Sequence, residues 1–270
     1  MNPGKPTIAC FGATGGCVAA TLANALNAGH YCTAVARNPD KLYRRLLTEP
    51  NISTSLIDQY LTVHQGDIRD PVTIAKALIS PTYANSVVDF IVSGVGSYPK
   101  FQWSITRPFP LQDETICEDT IKTIYTSLYS LSASGVTGTA SAQKPLLVAM
   151  STAGCGRNRG VPLPIYLQYH YLLGGPLADK QKMENIIMED KGRHIRNFVI
   201  MRPLFLTDGD ARGDGQLKVG WEWGILDGED KVNEPGPEIG YMVSRRDIGK
   251  WAFDHVVAEG GWEGKCIYLA

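Results

Sequence analysis

Short apolar runs recur along the first two thirds of the chain, each followed by a polar or glycine-rich turn and then by residues at helical spacing. Residues 7–11, 30–36, 60–65, 87–92, 145–150 and 198–201 read as strands. Between them, residues 19–26, 39–47, 72–78, 112–133 and 177–190 read as helices. In the longest, Ile116, Ile121, Ile124, Leu128 and Leu131 fall near one face. Strands with no polar alternation are buried on both faces, as in a parallel sheet covered by helices. With right-handed crossovers this predicts an α/β, doubly wound parallel sheet.

The tail from Asp208 carries a strand-like stretch at 217–223, another at 239–243, a helix near 245–257 and a last strand at 265–269. We expect these to form a small C-terminal substrate-side lobe packed on the main sheet, with no linker between them. Residues 1–270 then make one domain, with 1–154 mainly a cofactor-binding core and 155–270 mainly substrate-side elements.

Ligands of doubly wound sheets bind beyond the carboxyl ends of the strands, so the residue types just after each strand carry the chemistry. After the first strand comes Gly12-Ala13-Thr14-Gly15-Gly16-Cys17-Val18, opening a helix. This strand, glycine turn and helix make a Rossmann-type opening. Gly12, Thr14, Gly15, Gly16 and Cys17 would bring backbone amides onto a dinucleotide pyrophosphate. After the second strand an NAD site would usually place an acid for the ribose hydroxyls. There is none from His30 to Pro39, and Arg37 stands there instead, with Lys41 one turn on. A guanidinium suits a 2′-phosphate, so NADP(H) is the expected cofactor. Asp67 and Ile68, after the third strand, are placed for the adenine amino group and ring, although Asp67 and Asp70 both also suit helix capping. Ser93 and Gly94, with Gly96, would let the backbone pass near the nicotinamide ribose.

Two long stretches break the alternation. Residues 97–110 carry Tyr98, Phe101 and Trp103, and residues 155–176 carry Tyr166, Tyr169, His170 and Tyr171. Both read as loops leaving the carboxyl edge, which makes them the expected walls of an apolar, aromatic substrate pocket. Trp221 and Trp223 of the tail are further candidates for substrate contact.

Composition changes this picture little. The formal net charge of −1 over 270 residues gives no electrostatic case for nucleic acid or an anionic membrane. The six cysteines form no CxxC pair, so metal and redox-motif readings are poor and reduced thiols are expected. No apolar run approaches membrane-spanning length, and the first strand begins too early to leave room for a signal peptide. A cytoplasmic protein with a small-molecule substrate is the expectation.

The glycine turn, Arg37, Gly66-Asp67-Ile68, Lys180 with Met183-Glu184, Val199-Ile200-Met201-Arg202-Pro203 and Val243-Ser244-Arg245-Arg246-Asp247-Ile248-Gly249 occur in one order along the chain. In these the chain resembles NmrA-like members of the atypical short-chain dehydrogenase/reductase superfamily. The resemblance implies NADP(H) binding and, in enzyme members, hydride transfer. It implies that Lys180 lies near the nicotinamide ribose, and that Ser151 and Thr152 stand where a hydroxyl orients a substrate carbonyl. Two departures stand out. Val18 occupies the place of a common third glycine, and no Tyr precedes Lys180 or Lys182 by four residues. The proton donor must then be another group, with Tyr169 and His170 as candidates. Arg202 and Asp247 read as structural, a strand-end arginine and an acid on a neighbouring helix that would form a fold-stabilising pair. An NADPH-dependent reductase of a bulky apolar small molecule, such as a secondary-metabolite intermediate, is the leading expectation. A cofactor-assisted cyclase acting on such an intermediate and a non-catalytic NADP redox sensor are the alternatives.

Overall fold

The structure is a computed structural model describing residues 4–83, 85–97, 103, 111–225 and 233–270. Its centre is an eight-stranded sheet. Strands β1 (Ile8–Phe11), β2 (Cys32–Ala36), β3 (Leu61–Gln65), β4 (Phe90–Ser93), β5 (Leu146–Met150), β6 (Asn197–Met201) and β10 (Lys265–Leu269) run parallel in it. Strand β8 (Val219–Trp223) closes one edge, antiparallel to β10. The spatial order is β3-β2-β1-β4-β5-β6-β10-β8. The order reverses between β1 and β4, so a crevice opens beyond their carboxyl ends, and both segments that follow these strands meet there.

Alternate residues of β1 enter opposite cores: Ile8 and Cys10 face one, Ala9 and Phe11 the other, and all four are buried. The first core is covered by α1 (Gly16–Asn27), α2 (Pro39–Leu46), α3 (Thr54–Tyr60) and α7 (Arg245–Trp251), the last running on as a π-helical segment over 252–259. The second is covered by α4 (Pro71–Leu78), α5 (Ile116–Ala133) and the carboxyl half of α6 (Tyr166–Glu189). Each buried Leu or Ile in these cores contributes about 1.5–3 kcal/mol. Helix α7 lies against α1 at near-backbone distance, because a Cβ on Gly249 would stand 2.4 Å from the Cβ of Ala20.

Three elements differ from the sequence expectation. Helix α3, capped by the Ser53 hydroxyl on the Leu56 amide, was not expected, since its short polar segment shows little periodicity. Helix α6 begins at Tyr166, so the second half of the expected loop at 155–176 is helical despite Gly174-Gly175-Pro176. Tyr169, Leu173 and Leu177 continue the inward face of Met183 and Ile187, and this packing overrides the local breakers. The tail is divided. Only β7 (Phe205–Thr207) and β9 (Met242–Ser244) form a separate two-stranded parallel sheet, while β8 and β10 extend the main sheet and α7 joins its helical layer. No helix among the described residues is long and apolar enough to cross a membrane.

Candidate functional site

The glycine turn and the end of β4 fit together without room for side chains. Gly12 has φ +81°, and a Cβ there would lie 2.8 Å from the Gly94 carbonyl carbon. A Cβ on Gly94 would in turn lie 2.4 Å from Cγ2 of Val18. The side chain at the position of the missing third glycine is therefore accommodated by a glycine on the neighbouring segment. Gly15 precedes α1 without a side-chain cap, and no acid stands in the first turn. The first amides of a twelve-residue helix thus face the crevice with no carboxylate in their own first turn. Thr14, Gly15 and Gly16 are half-buried around this opening, and Ser93 is buried at the end of β4. Burial pushes the Cys17 thiol up to about 12, so Cys17 is a neutral apolar wall.

Arg37 is exposed just past β2 and makes no hydrogen bond or ion pair among the described residues, leaving its guanidinium available. Lys41 is exposed on the first turn of α2, where the Asn38 side chain accepts from its amide at 3.1 Å. After β3, Asp70 takes the capping role on α4, accepting from the amides of Val72 and Thr73. Asp67 is exposed and accepts from the Arg69 amide at 2.9 Å, with Ile68 half-buried beside it. Arg69, which the sequence reading did not single out, bridges Asp113 at 2.5 Å and Asp119 at 2.7 Å. It ties the turn after β3 to the amino end of α5, and the charge pairing holds the Asp113 carboxyl below its ordinary range.

Lys180 reaches from α6 into the same crevice. Its Nζ donates to the Met150 carbonyl at 2.6 Å and to the Val95 carbonyl at 3.2 Å, beyond the ends of β5 and β4. An ammonium has three donors, so one remains for a ligand. Lys182 is turned outward and pairs with Glu118 at 3.5 Å. The preceding residue, Asp179, is buried and accepts from the amides of Cys117 and Glu118, each at 3.0 Å. One carboxylate of α6 therefore caps the start of α5 and fixes the turn that carries Lys180. This positioning residue escaped the sequence reading, because a cap supplied from a helix sixty residues away leaves no local pattern.

A tyrosine lies three turns up the same helix. Tyr169 and Lys180 share the inward face of α6. The Tyr169 and Thr152 hydroxyls are 2.5 Å apart, and Thr152 lies just two residues beyond Met150, which holds Lys180. Burial raises the Tyr169 hydroxyl above its ordinary pKa, opposed in part by the Thr152 hydrogen bond. Ser151 is buried, its amide donating to the Met201 carbonyl at 2.7 Å, and its hydroxyl faces inward beside the Cys155 thiol. Thr152 is the hydroxyl of the pair that stands half-exposed.

The aromatic residues separate into two places. Tyr166 contacts the His170 ring, His170 the Tyr169 ring, and Tyr169 the Phe205 ring of β7 at 5.6 Å, which makes an aromatic run along α6 toward Thr152. Trp103 is exposed, whereas Tyr98 and Phe101 lie outside the described residues. Trp221 and Trp223 are elsewhere. Strand β8 is antiparallel, so Trp223 pairs with Lys265 at the amino end of β10, across the sheet from the crevice. The Lys265 ammonium lies 4.7 Å from the Trp221 ring and 4.8 Å from Trp262, a cation–π cluster on the outer edge. The alternation of β8 sends Glu222, not the tryptophans, toward the α6 side.

Glu222 belongs to a buried ionic cluster below the site. The Arg202 guanidinium donates to Glu184 from Nε at 3.1 Å and from Nη2 at 2.6 Å, and to Glu222 and the Tyr268 hydroxyl from Nη1. Glu222 also accepts from the amides of Arg157 and Asn158, the Asn158 side chain and the Tyr268 hydroxyl. Arg202 is thus structural, with Glu184 one turn beyond Lys180 as its partner. Asp247 is not its partner, contrary to the sequence expectation, but is structural as well, accepting from the amides of Arg212 and Gly213. All six cysteines are free and buried, and no metal-binding cluster occurs among the described residues.

Comparison with known proteins agrees with this geometry. A family model described as NAD(P)H-binding matches residues 12–257. The chain is 37% identical to "Reductase pytE" of Aspergillus terreus, over all of this chain and 99% of that one. It is 32% identical to "Oxidase pynE" of Aspergillus niger, over 95% of each. Among solved structures, ChuY, an anaerobillin reductase from Escherichia coli O157:H7, superposes with TM-score 0.60 at 18% identity, covering 97% of this chain and 96% of that one. A Rossmann-fold NAD(P)-binding protein from Shigella flexneri gives 0.57 at 14% identity, covering 98% and 93%. These two establish the fold alone. The match over most of the chain and the two relatives together mean that this chain belongs to the NAD(P)H-binding, NmrA-like branch of the atypical short-chain dehydrogenase/reductases.

Proposed function

We propose that the chain is an NADPH-dependent oxidoreductase that reduces a carbonyl, imine or enone of a bulky, apolar small molecule. The observation that carries this reading is the convergence on one crevice of an uncapped helix amino terminus, the unpaired Arg37, and Lys180 held at the ends of β4 and β5. The redox names of both relatives support the reaction class. The residues fit the cofactor, since Gly12 and Gly94 let the glycine turn and the end of β4 meet at backbone contact beside the uncapped start of α1. When bound, NADPH supplies a hydride from its nicotinamide.

The protein's own groups have separable tasks. The α1 amides hold the pyrophosphate, Arg37 with Lys41 holds the 2′-phosphate, and Asp67 with Ile68 borders the adenine. Ser93 and Gly94 shape the backbone wall beside the ribose. The third Lys180 proton holds a ribose hydroxyl or the substrate oxygen. Tyr169 stays protonated at neutral pH because its burial disfavours the phenolate. In this relay Tyr169 donates to Thr152 while Thr152 gives its own hydroxyl proton to the substrate oxygen, and the phenolate left on Tyr169 regains a proton from water after the hydride has moved. Tyr166 and Phe205, at the two ends of the aromatic run, provide an apolar wall for the substrate.

The test is NADPH oxidation across a panel of hydrophobic ketones, enones and imines. With an accepted compound, Tyr169→Phe should lower turnover about 100-fold while leaving NADPH affinity within about threefold, since it makes no cofactor contact. Turnover in Tyr169→Phe equal to wild type would remove Tyr169 from the proton path. No NADPH oxidation with any member would count against reductase chemistry itself.

A further inference from the structure

Arg245 opens α7, and its side chain lies across the start of α1. A Cβ on Gly16 would stand 2.3 Å from Cδ of Arg245 and 3.1 Å from its Cβ. Gly16 is therefore a seat for the arginine stem as well as part of the phosphate turn, and any side chain there would displace Arg245. The guanidinium continues over the helix terminus and Nη1 meets the Asp208 carboxylate at 2.9 Å. Of the charges acting on the Cys17 thiol, Arg245 is the strongest, followed by Lys180. Asp208 is 78% exposed, so the pair is held only from one side and in water. An exposed pair of this kind is weak and readily exchanged. The neighbouring Arg246 is engaged differently, with Glu49 at 3.2 Å and Asp210 at 2.6 Å, and points away from α1 toward the start of the β2-side layer.

We infer that Arg245 is a second, side-chain anchor for the cofactor pyrophosphate, held in waiting by Asp208 and released to the phosphates when the dinucleotide binds. The inference rests on the cofactor reading above and adds to it a residue from the opposite end of the chain. A dianionic pyrophosphate on the α1 amides brings its negative charge to the place where the Arg245 stem already lies, and it competes with a single solvated carboxylate. Asp208 thereby acts as a placeholder that keeps the guanidinium ordered in the unliganded protein.

Arg37 and Arg245 make opposite predictions, because NADPH and NADH share a pyrophosphate but differ in the 2′-phosphate. Fluorescence titration of Arg245→Gln should show affinity about tenfold weaker for NADPH and NADH alike, with their ratio unchanged. Asp208→Asn, a change at an exposed position, should bind both about threefold more tightly. Thermal melting of each variant identifies any loss of fold. Wild-type affinities for both nucleotides in a folded Arg245→Gln and in Asp208→Asn would overturn the proposal, as would a loss confined to NADPH. If the wild-type protein binds neither nucleotide, the cofactor reading fails and this inference fails with it.

Discussion

At the scale of single residues, charge and the space left by missing side chains decide the site. Arg37 could be singled out because a strand end without an acid is a local pattern, and it stands exposed with no partner among the described residues. Asp179 and Arg69 were not legible, because their partners lie about fifty to sixty positions away. The Arg202 cluster was legible only as a structural arginine, with its two acids unknown until β8 and α6 were seen to flank it. Glu184 is fully buried against Arg202, so Glu184→Ala leaves a guanidinium half-satisfied in the interior. It should cost about 3–5 kcal/mol in denaturant unfolding. A loss under about 1 kcal/mol would mean that Glu222 alone satisfies Arg202.

Elements show where periodicity was sufficient and where it was not. Every expected strand of the first six is present, five as buried, largely apolar runs and β3 as a partly buried strand at the sheet edge. Helix α6 was misread at its amino half, since Gly174-Gly175-Pro176 is a breaker in isolation, and only the packing of Tyr169, Leu173 and Leu177 shows why the helix continues. That continuity is what brings Tyr169 and Lys180 onto one face. The contact of α1 with the end of β4 yields a second prediction. Gly94→Ala should destabilise by about 1–3 kcal/mol through collision with Val18, and Val18→Ala should relieve it in the double variant. Additive losses in chemical denaturation would refute that coupling. The staple from the turn after β3 to α5 gives a pH prediction. The Arg69 pairing depresses the Asp113 carboxyl below 3.8, so its stabilisation is present above that pH and is lost as pH falls through the depressed value. Acid unfolding of Arg69→Met should therefore be less steep below about pH 3.8 than wild type, and identical acid limbs would exclude the staple.

For the whole molecule, the residues proposed for the site gather at one end of the sheet. The glycine turn, Arg37, Asp67, Lys180, Thr152 and Tyr169 all stand beyond carboxyl ends of parallel strands, as the strand order dictates. Trp221 and Trp223 do not, because β8 reverses direction, and nothing in their own sequence announces an antiparallel edge. The tail returns to the first helix of the chain through α7, where the Arg245 side chain lies against Gly16. The most direct measurement is a titration of wild type and Arg37→Ala with NADPH and NADH, followed by nucleotide fluorescence. The account predicts that wild type prefers NADPH and that Arg37→Ala loses about 10- to 100-fold in NADPH affinity while binding NADH unchanged. A wild type without that preference, or a preference that survives in Arg37→Ala, would contradict it.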